Sequence, residues 1–250
     1  MKFLGIDFGW SSSPSGLCSL EWRDGKLDLC DLRRETSIED ILLWVDRQVP
    51  DLGVIAVDAP TLIPNQTGMR VPDRLAHQYF GRYHAGCYPA NLGRPFAERT
   101  IEFGLSLERR GFDHAPTIKA QQLGRYQIEV FPHPAMIHLF GLNQILKYKK
   151  GTIAARSVEL DRLRQLILKH LPNLTPSLNL KALPPIPSKG TELKALEDQL
   201  DSLICAYVAA HWWYWGSEKN WVLGDRASGY LIVPAPILQT QPHVIPINAD

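Results

Sequence analysis

Short apolar runs separated by turn residues dominate the first part of the chain. Such runs predict four strands, over residues 3–6, 16–22, 26–32 and 53–57. Asp24-Gly25 is a two-residue hairpin turn between the second and third strands. Apolar residues at helical spacing after Ser37 predict an amphipathic helix that stops at Pro50. The unbroken run at 53–57 favours a parallel strand covered on both faces.

The pattern becomes irregular after residue 60. Residues 61–122 are rich in Gly, Pro, Arg and aromatic side chains, which predicts a loop-rich insertion with two helices of its own. Beyond it, one strand is predicted over 126–131 and two short strands over 221–223 and 230–233. Helices are predicted near 73–83 and 96–111 in the insertion, and over 135–140, 154–171 and 191–215 after it.

This order of elements is typical of a mixed α/β layer structure with an antiparallel flank and a parallel centre. No change in composition along the chain marks a boundary between two parts that would each form a separate hydrophobic core. We therefore expect a single domain over 1–235, with a Pro-rich connection at 172–190 and a C-terminal tail at 236–250.

Composition and charge exclude several classes of protein. The 250 residues are 45% hydrophobic, which predicts a folded globular chain. The net charge of +1 gives no overall attraction to nucleic acid or to an acidic membrane, so a polyanion would need a local patch. The uncharged stretch between Asp201 and Glu218 is too short to span a bilayer, and Asp7 interrupts any export signal. The chain is predicted to be cytoplasmic and without a membrane partner.

Acidic residues fall where α/β sheets place their chemistry, at the C-terminal ends of strands. Asp7 closes the first predicted strand, Asp58 closes the fourth, and Glu129 lies on the fifth. Asp198 and Asp201 lie three residues apart on one face of the last helix. Converging carboxylates repel one another unless a cation neutralises them. The pattern indicates Asp7, Asp58, Glu129 and Asp201 as metal ligands, with Asp198 as a further ligand or a water-orienting base.

Oxygen ligands in this number favour Mg²⁺ or Mn²⁺. Two such ions stabilise the attacking and leaving oxygens of a phosphodiester displacement. We therefore predict a metal-dependent nuclease-like hydrolase. The sequence leaves open whether the substrate is DNA, RNA or a small phosphoester, and it does not indicate an oligomeric state.

The segments that carry these acids resemble the domain-of-unknown-function family 429 (DUF429), which is described as predicted nucleases of the ribonuclease H-like fold. The matching segments are Gly5-Ile6-Asp7, 55–60, 129–132, 198–202 and 229–234. The D-x-x-D of the last helix is similar to that of Holliday-junction resolvases of the RuvC type. The resemblance implies a central mixed five-stranded sheet with helices on both faces, Asp7 on the middle strand, and Asp58 and Glu129 beside it.

Other interpretations of the same residues remain open. Asp7 and Asp58 could cap turns, Asp198 could be a solvated helix position, and Glu129 could be structural if a buried cation such as an Arg paired with it. Arg70 and Arg74 resemble a family segment and could clamp a substrate phosphate, or Asp73 could be satisfied within its own helix.

The arginines and aromatic side chains of the insertion could stack on and neutralise a single strand, or could be an ordinary solvated surface. The basic run 147–150 is interpreted as a solvated helix end.

Two other functions compete with the nuclease prediction. Asp7-Phe8-Gly9 resembles the first phosphate loop of actin-like and sugar-kinase phosphotransferases, but that architecture uses two such domains. The other alternative is a catalytically inactive binding module on the same fold.

Overall fold

The computed structural model describes residues 1–11 and 13–236. The strands are β1 (Lys2–Asp7), β2 (Ser15–Arg23), β3 (Lys26–Glu35), β4 (Gly53–Val57), β5 (Asp113–His114), β6 (Arg125–Glu129), β7 (Leu178–Asn179), β8 (Asn220–Asp225) and β9 (Gly229–Pro234). The α-helices are α1 (Ile38–Gln48), α2 (Val71–Phe80), α3 (Ala97–Glu108), α4 (Pro132–Phe140), α5 (Ile153–His170) and α6 (Gly190–Trp215).

Seven strands form the main sheet, in the order β5-β6-β4-β1-β2-β3-β7. β1 lies in the centre, antiparallel to β2 and parallel to β4, and β4 is parallel to β6. The five long strands thus form a mixed sheet with β1, which carries Asp7, in the middle, and the prediction of a mixed α/β fold with this central sheet is confirmed. Two-residue strands at the edges, β5 and β7, extend the sheet from five strands to seven. They are too short to show any periodicity in the sequence.

A second, two-stranded sheet is made by the β8–β9 hairpin. Apart from a single bridge between Val130 and Ile232, it pairs with none of the main-sheet strands among the described residues. Leu223, Leu231 and Val233 of the hairpin share a small core with α2. The hairpin thereby fastens the insertion to the end of the sheet.

The main sheet is covered by helices on both faces, as its strand pattern predicts. Alternate residues of β1 point to opposite sides: Phe3 packs in a core with α4, α5 and α6, whereas Leu4 and Ile6 pack in a core with α1 and α3. β4 divides in the same way, with Ala56 on the α6 side and Val57 on the α1 side. The face to which a strand residue points therefore decides which helices it meets.

Helix α4 begins three residues earlier than the sequence pattern predicts. Pro132 and Pro134 occupy its first turn. The first turn of a helix leaves its N–H groups unpaired, so a proline there loses no hydrogen bond. Both prolines therefore belong to the helix.

Helix α6 approaches β1 and β2 so closely that two positions must be glycine. A Cβ atom at Gly5 would overlap the carbonyl oxygen of Ser202, and one at Gly16 would overlap that of Asp198. This contact presses the acidic segment of α6 against the carboxyl end of β1.

The single-domain prediction for 1–235 stays a prediction, and the predicted tail from residue 237 onward lies outside the described residues. None of the helices in the described ranges is long and apolar enough to cross a membrane.

We expect Gly5→Ala to lower the free energy of unfolding by about 1–3 kcal/mol or more, because the backbone of α6 has to move away from the sheet. Gly81 is the matched control, since its backbone is helical and no atom lies within 4 Å of an added Cβ. Urea unfolding of both variants measures the difference. Equal stability of the two would contradict the close contact between α6 and β1.

Candidate active site

Asp7 and Asp58 lie side by side at the carboxyl ends of β1 and β4. Ile6 pairs with Val57, and the N–H of Asp58 donates to the carbonyl oxygen of Ile6 at 2.9 Å, so Asp7 and Asp58 form the next pair. Both side chains alternate onto the α6 side of the sheet, two residues after Gly5 and Ala56. The sequence prediction that places these two carboxylates together is consistent with this arrangement.

Helix α6 adds the fully buried carboxylate of Asp201 to this pair. The Tyr148 hydroxyl donates to Asp201 Oδ1 at 2.7 Å, and Lys149 Nζ lies 2.7 Å from Oδ2. Both partners come from the basic turn between α4 and α5. The interpretation of residues 147–150 as a solvated helix end is therefore wrong for Lys149, whose ammonium group reaches the acidic cluster.

Asp198 also lies at the site, but its carboxylate is paired within the protein. Arg34 Nη2 lies 2.7 Å from Asp198 Oδ2, and Lys194 Nζ lies 2.7 Å from Oδ1. Asp198 is only 2% exposed. It is therefore not the solvated helix position that one interpretation of the sequence allowed.

Glu129 lines the same cavity as Asp7 and Asp58, but its carboxylate is engaged by a neighbouring arginine. Glu129 pairs with Val57, so its side chain starts from the α1 side of the sheet, opposite to those of Asp7 and Asp58. Arg70 holds it there, with Nη2 2.6 Å from Oε1 and Nη1 2.9 Å from Oε2, and the N–H of Thr61 donates to Oε2 at 3.2 Å. The buried cation required by a structural interpretation of Glu129 is therefore present.

The Arg70 guanidinium uses every donor inside the protein. Its Nε and Nη2 groups donate to Asp73, its two Nη groups donate to Glu129, and Nη1 also donates to the carbonyl oxygen of Leu62. Because a guanidinium has five N–H donors, none is left for a ligand. Arg74 donates to the carbonyl oxygen of Met69 and does not line the site. The expectation that Arg70 clamps a phosphate does not fit this geometry.

A cavity of about 400 Å³ opens onto the cluster. Its wall includes Asp7, Asp58, Asp198, Lys149 and Lys194, together with the loop that follows β1. Among the described residues, no group of three or more His, Cys, Asp or Glu side chains is arranged to hold a metal ion. The ammonium group of Lys149 is instead the cation that lies among the carboxylates.

The model of a family described as "protein of unknown function (DUF429)" matches residues 5–222. The chain belongs to this family. Among solved structures, RuvC from Thermus thermophilus is similar to this DUF429 protein: the sequences are 13% identical, the match covers 83% of this chain and 96% of that one, and the TM-score is 0.39. None of the curated proteins compared with the chain matches it.

Burial dominates the electrostatics of the DUF429 site. Loss of solvent raises the pKa of Asp58 to about 7, an effect that the Lys149 charge opposes and the Asp201 charge reinforces. Burial also raises the pKa of Asp7 well above its ordinary value, against the attraction of Lys149. Both carboxyls therefore hold protons more tightly than an exposed aspartate does. The cluster has more negative charge than Lys149 alone compensates.

His133 contributes a neutral imidazole to the cavity wall. Burial, reinforced by the nearby charge of Lys149, lowers its pKa to about 4. The imidazole is therefore uncharged at neutral pH. Its Nδ1 atom has no hydrogen-bond partner among the described residues.

Sequence reasoning missed the cations of the site. Lys194 precedes Asp198 by four residues on α6, and this helical spacing could have indicated the pair. Arg34 and Lys149 come from distant parts of the chain and carry no comparable local signal. Their positions follow only from the folded sheet.

We expect Asp58→Asn to raise the free energy of unfolding at pH 8 by about 2–4 kcal/mol. The folded-state pKa of about 7 exceeds the ordinary 3.8, so the contribution of Asp58 to stability is complete below about pH 4 and is lost as the pH rises through 7. The gain should therefore shrink between pH 8 and pH 5 in urea titrations. The exposed Asp51→Asn is the control, and an equal effect at both pH values would argue against a raised pKa.

We also expect Lys149→Met to raise the pKa of Asp58 above about 7, because the Lys149 charge lowers it in the native protein. The pKa is measured by titrating the ¹³C-labelled aspartate carboxyls by NMR. Lys150→Met is the matched control, since this exposed neighbour makes no ion pair among the described residues. Identical Asp58 titrations in native protein and Lys149→Met would place the ammonium group away from the cluster.

Proposed function

We propose that this DUF429 protein is a metal-dependent, nuclease-like phosphodiester hydrolase whose reaction takes place at Asp7 and Asp58. The observation that carries the proposal is the pairing of these two carboxylates at the ends of adjacent parallel strands, inside a cavity and close to Asp201. Burial raises the pKa values of both carboxyls, so a bound cation would favour their ionised forms. Such clusters are frequent at catalytic sites.

The donor set fits a single hydrated Mg²⁺ or Mn²⁺ better than the two ions expected from the sequence. Asp201 is engaged by Lys149 and Tyr148, and Glu129 is engaged by Arg70, which leaves Asp7 and Asp58 to hold an ion. Mg²⁺ is commonly bound by one or two carboxylates, water and a substrate phosphate. A bound ion would polarise the phosphoryl oxygen and lower the pKa of a coordinated water.

Lys149 supplies the second positive charge of the proposed site. Asp201 and Tyr148 hold its ammonium group at the inner end of the cavity, where it faces the place that a phosphate bound at Asp7 and Asp58 would take. A fixed ammonium group there stabilises the negative charge that develops on the phosphoryl oxygens. In this proposal Asp201 positions Lys149, and Glu129 positions the segment after β4.

Lys194, rather than Arg70, is the cation that an incoming phosphate would meet first. It lines the cavity wall and its side chain is 48% exposed. Its ammonium group already pairs with Asp198 and Glu197, so it is held in place. Asp198, whose two oxygens pair with Arg34 and Lys194, positions Lys194 in this proposal and does not act as the water-orienting base that the sequence indicates.

The phosphotransferase alternative receives less support from the arrangement of the described residues. They contain one sheet of this type and a separate two-stranded hairpin, whereas the actin-like architecture places a nucleotide between two such domains. The inactive-module alternative makes a distinct experimental prediction, because an inactive module needs neither carboxylate for its binding activity.

The test is cleavage of a labelled panel of single strands, duplexes, an RNA–DNA hybrid and a four-way junction, with Mg²⁺ or Mn²⁺. We expect the native protein to cleave at least one substrate, and Asp7→Asn to be slower by at least about a hundredfold, because a lost ligand removes several kcal/mol of charge stabilisation. The panel also distinguishes DNA from RNA as substrate.

Asp51→Asn, a surface carboxylate variant, should cleave at the native rate. Circular dichroism and urea unfolding establish that Asp7→Asn is folded. Cleavage that survives unchanged in folded Asp7→Asn would remove the carboxylate pair from the reaction. Absence of cleavage and of Asp7-dependent Mn²⁺ binding in the native protein would favour the inactive module.

A further inference from the structure

We propose that a pocket beside the acidic cavity binds an unpaired base of a single-stranded nucleic acid. The pocket, here called the aromatic pocket, is lined by Trp10, Tyr88, Phe96, Arg94 and Arg99. This inference rests on the proposed function, because it assigns to the same site a substrate with unstacked bases. Trp10 comes from the loop after β1, and the other four come from the segment of the insertion that leads into and begins α3.

Three aromatic rings form the walls of the aromatic pocket. The Trp10 and Phe96 ring centroids are 4.5 Å apart, and those of Tyr88 lie 6.5 Å from Trp10 and 6.2 Å from Phe96. Tyr88 is 58% exposed, an unusual state for a large aromatic side chain. Exposed aromatic faces are the surfaces on which bases stack in proteins that bind single strands.

The two arginines of the aromatic pocket keep positive charge that no carboxylate neutralises within the described residues. The Arg94 guanidinium lies 5.0 Å from the Tyr88 ring centroid, and Arg99 donates from Nε to the carbonyl oxygen of Gly9 at 3.0 Å. Neither forms an ion pair with a described residue, unlike Arg109 and Arg110 of the same insertion, which pair with Glu102 and Asp46. Aromatic rings together with free guanidinium groups match a base and its phosphate.

A hydrogen bond connects the aromatic pocket to the proposed catalytic pair. Trp10 Nε1 donates to the carbonyl oxygen of Asp58 at 3.1 Å, which fixes the indole ring relative to that carboxylate. Trp10 and Tyr88 also line the acidic cavity, so the two spaces adjoin. A base held against Trp10 would therefore place a neighbouring phosphate of the same strand toward Asp7 and Asp58.

The dimensions of the aromatic pocket agree with this occupant. Its volume of about 550 Å³ lies within the range of small-ligand sites. A base pair in a duplex has both faces covered by its neighbours, and its bases could not stack on the exposed Tyr88 ring without first unstacking. The pocket therefore favours single strands, flaps and loops over continuous duplex.

The insertion offers a matched control for the Arg94–Tyr88 pair. Arg82 lies 4.6 Å from the Tyr83 ring centroid, so the same two residue types make the same contact elsewhere in the insertion. Neither Arg82 nor Tyr83 lines the acidic cavity or the aromatic pocket. Variants of Arg82 or Tyr83 therefore measure how much strand binding falls when an arginine or an aromatic ring is lost elsewhere on the insertion.

The test measures binding of fluorescent ten-nucleotide single strands, in DNA and RNA form, to the full chain in EDTA, where no cleavage occurs. An abasic strand of equal length and charge is the comparison. We expect the native protein to bind the base-containing strand at least about tenfold more tightly than the abasic strand, and Tyr88→Ala and Trp10→Ala each to weaken that binding about tenfold, the loss of one stacked base. Tyr83→Ala should bind as the native protein does.

Equal affinity for the abasic and base-containing strands would overturn the proposal, as would equal losses in Tyr88→Ala and Tyr83→Ala. Because Trp10→Ala also removes the bond to Asp58, the exposed Tyr88→Ala keeps the test interpretable if Trp10→Ala unfolds. The metal-free measurement separates the two proposals. If the protein binds bases but cleaves no substrate with any metal, the aromatic-pocket proposal stands and the hydrolase proposal is wrong. If it cleaves a substrate but binds the abasic strand equally well, the hydrolase proposal stands and the aromatic-pocket proposal is wrong.

Discussion

The close contact between α6 and the centre of the sheet is the constraint on which the site depends. Gly5 and Gly16 leave room for the backbone of α6 at Ser202 and Asp198, because any Cβ there would overlap a carbonyl oxygen. This approach brings a helix carboxylate, Asp201, to the two carboxylates at the ends of β1 and β4. A helix at ordinary packing distance would leave those charges apart and exposed to water. The acidic cluster is thus a direct consequence of two missing side chains.

Once the carboxylates are buried together, their charge has to be balanced. The protein does so with four cations: Lys149 at Asp201, Arg34 and Lys194 at Asp198, and Arg70 at Glu129. Breaking one partner of such a buried pair is costly, since it leaves the other charge uncompensated. The charged groups of the site therefore also affect the stability of the fold. For Asp58, the ionised carboxylate that the proposed function requires is the form that lowers the free energy of unfolding.

The sequence predicts the seven longer strands, the principal helices and the strand or helix on which each acid lies, because apolar periodicity and turn residues are local signals. It also predicts that Asp7 and Asp58 meet, since the carboxyl ends of parallel strands share one edge of a sheet. Which cation meets which carboxylate is not predictable in this way. Glu129 illustrates the reason. It pairs with Val57 and not with Asp58, so its side chain starts from the other face of the sheet, where it pairs with Arg70. Pairings such as Lys149 with Asp201 depend on loops whose path only the folded chain determines.

The Arg70 network has a mechanical consequence. Asp73 belongs to the insertion, Glu129 to the sheet, and Leu62 to the segment that leaves β4 just after Asp58, and one guanidinium group joins all three. Moving the insertion away from the sheet would separate a buried guanidinium group from one of its two carboxylate partners, which is costly. One buried cation thereby couples the position of the insertion to the strand end beside the acidic cavity.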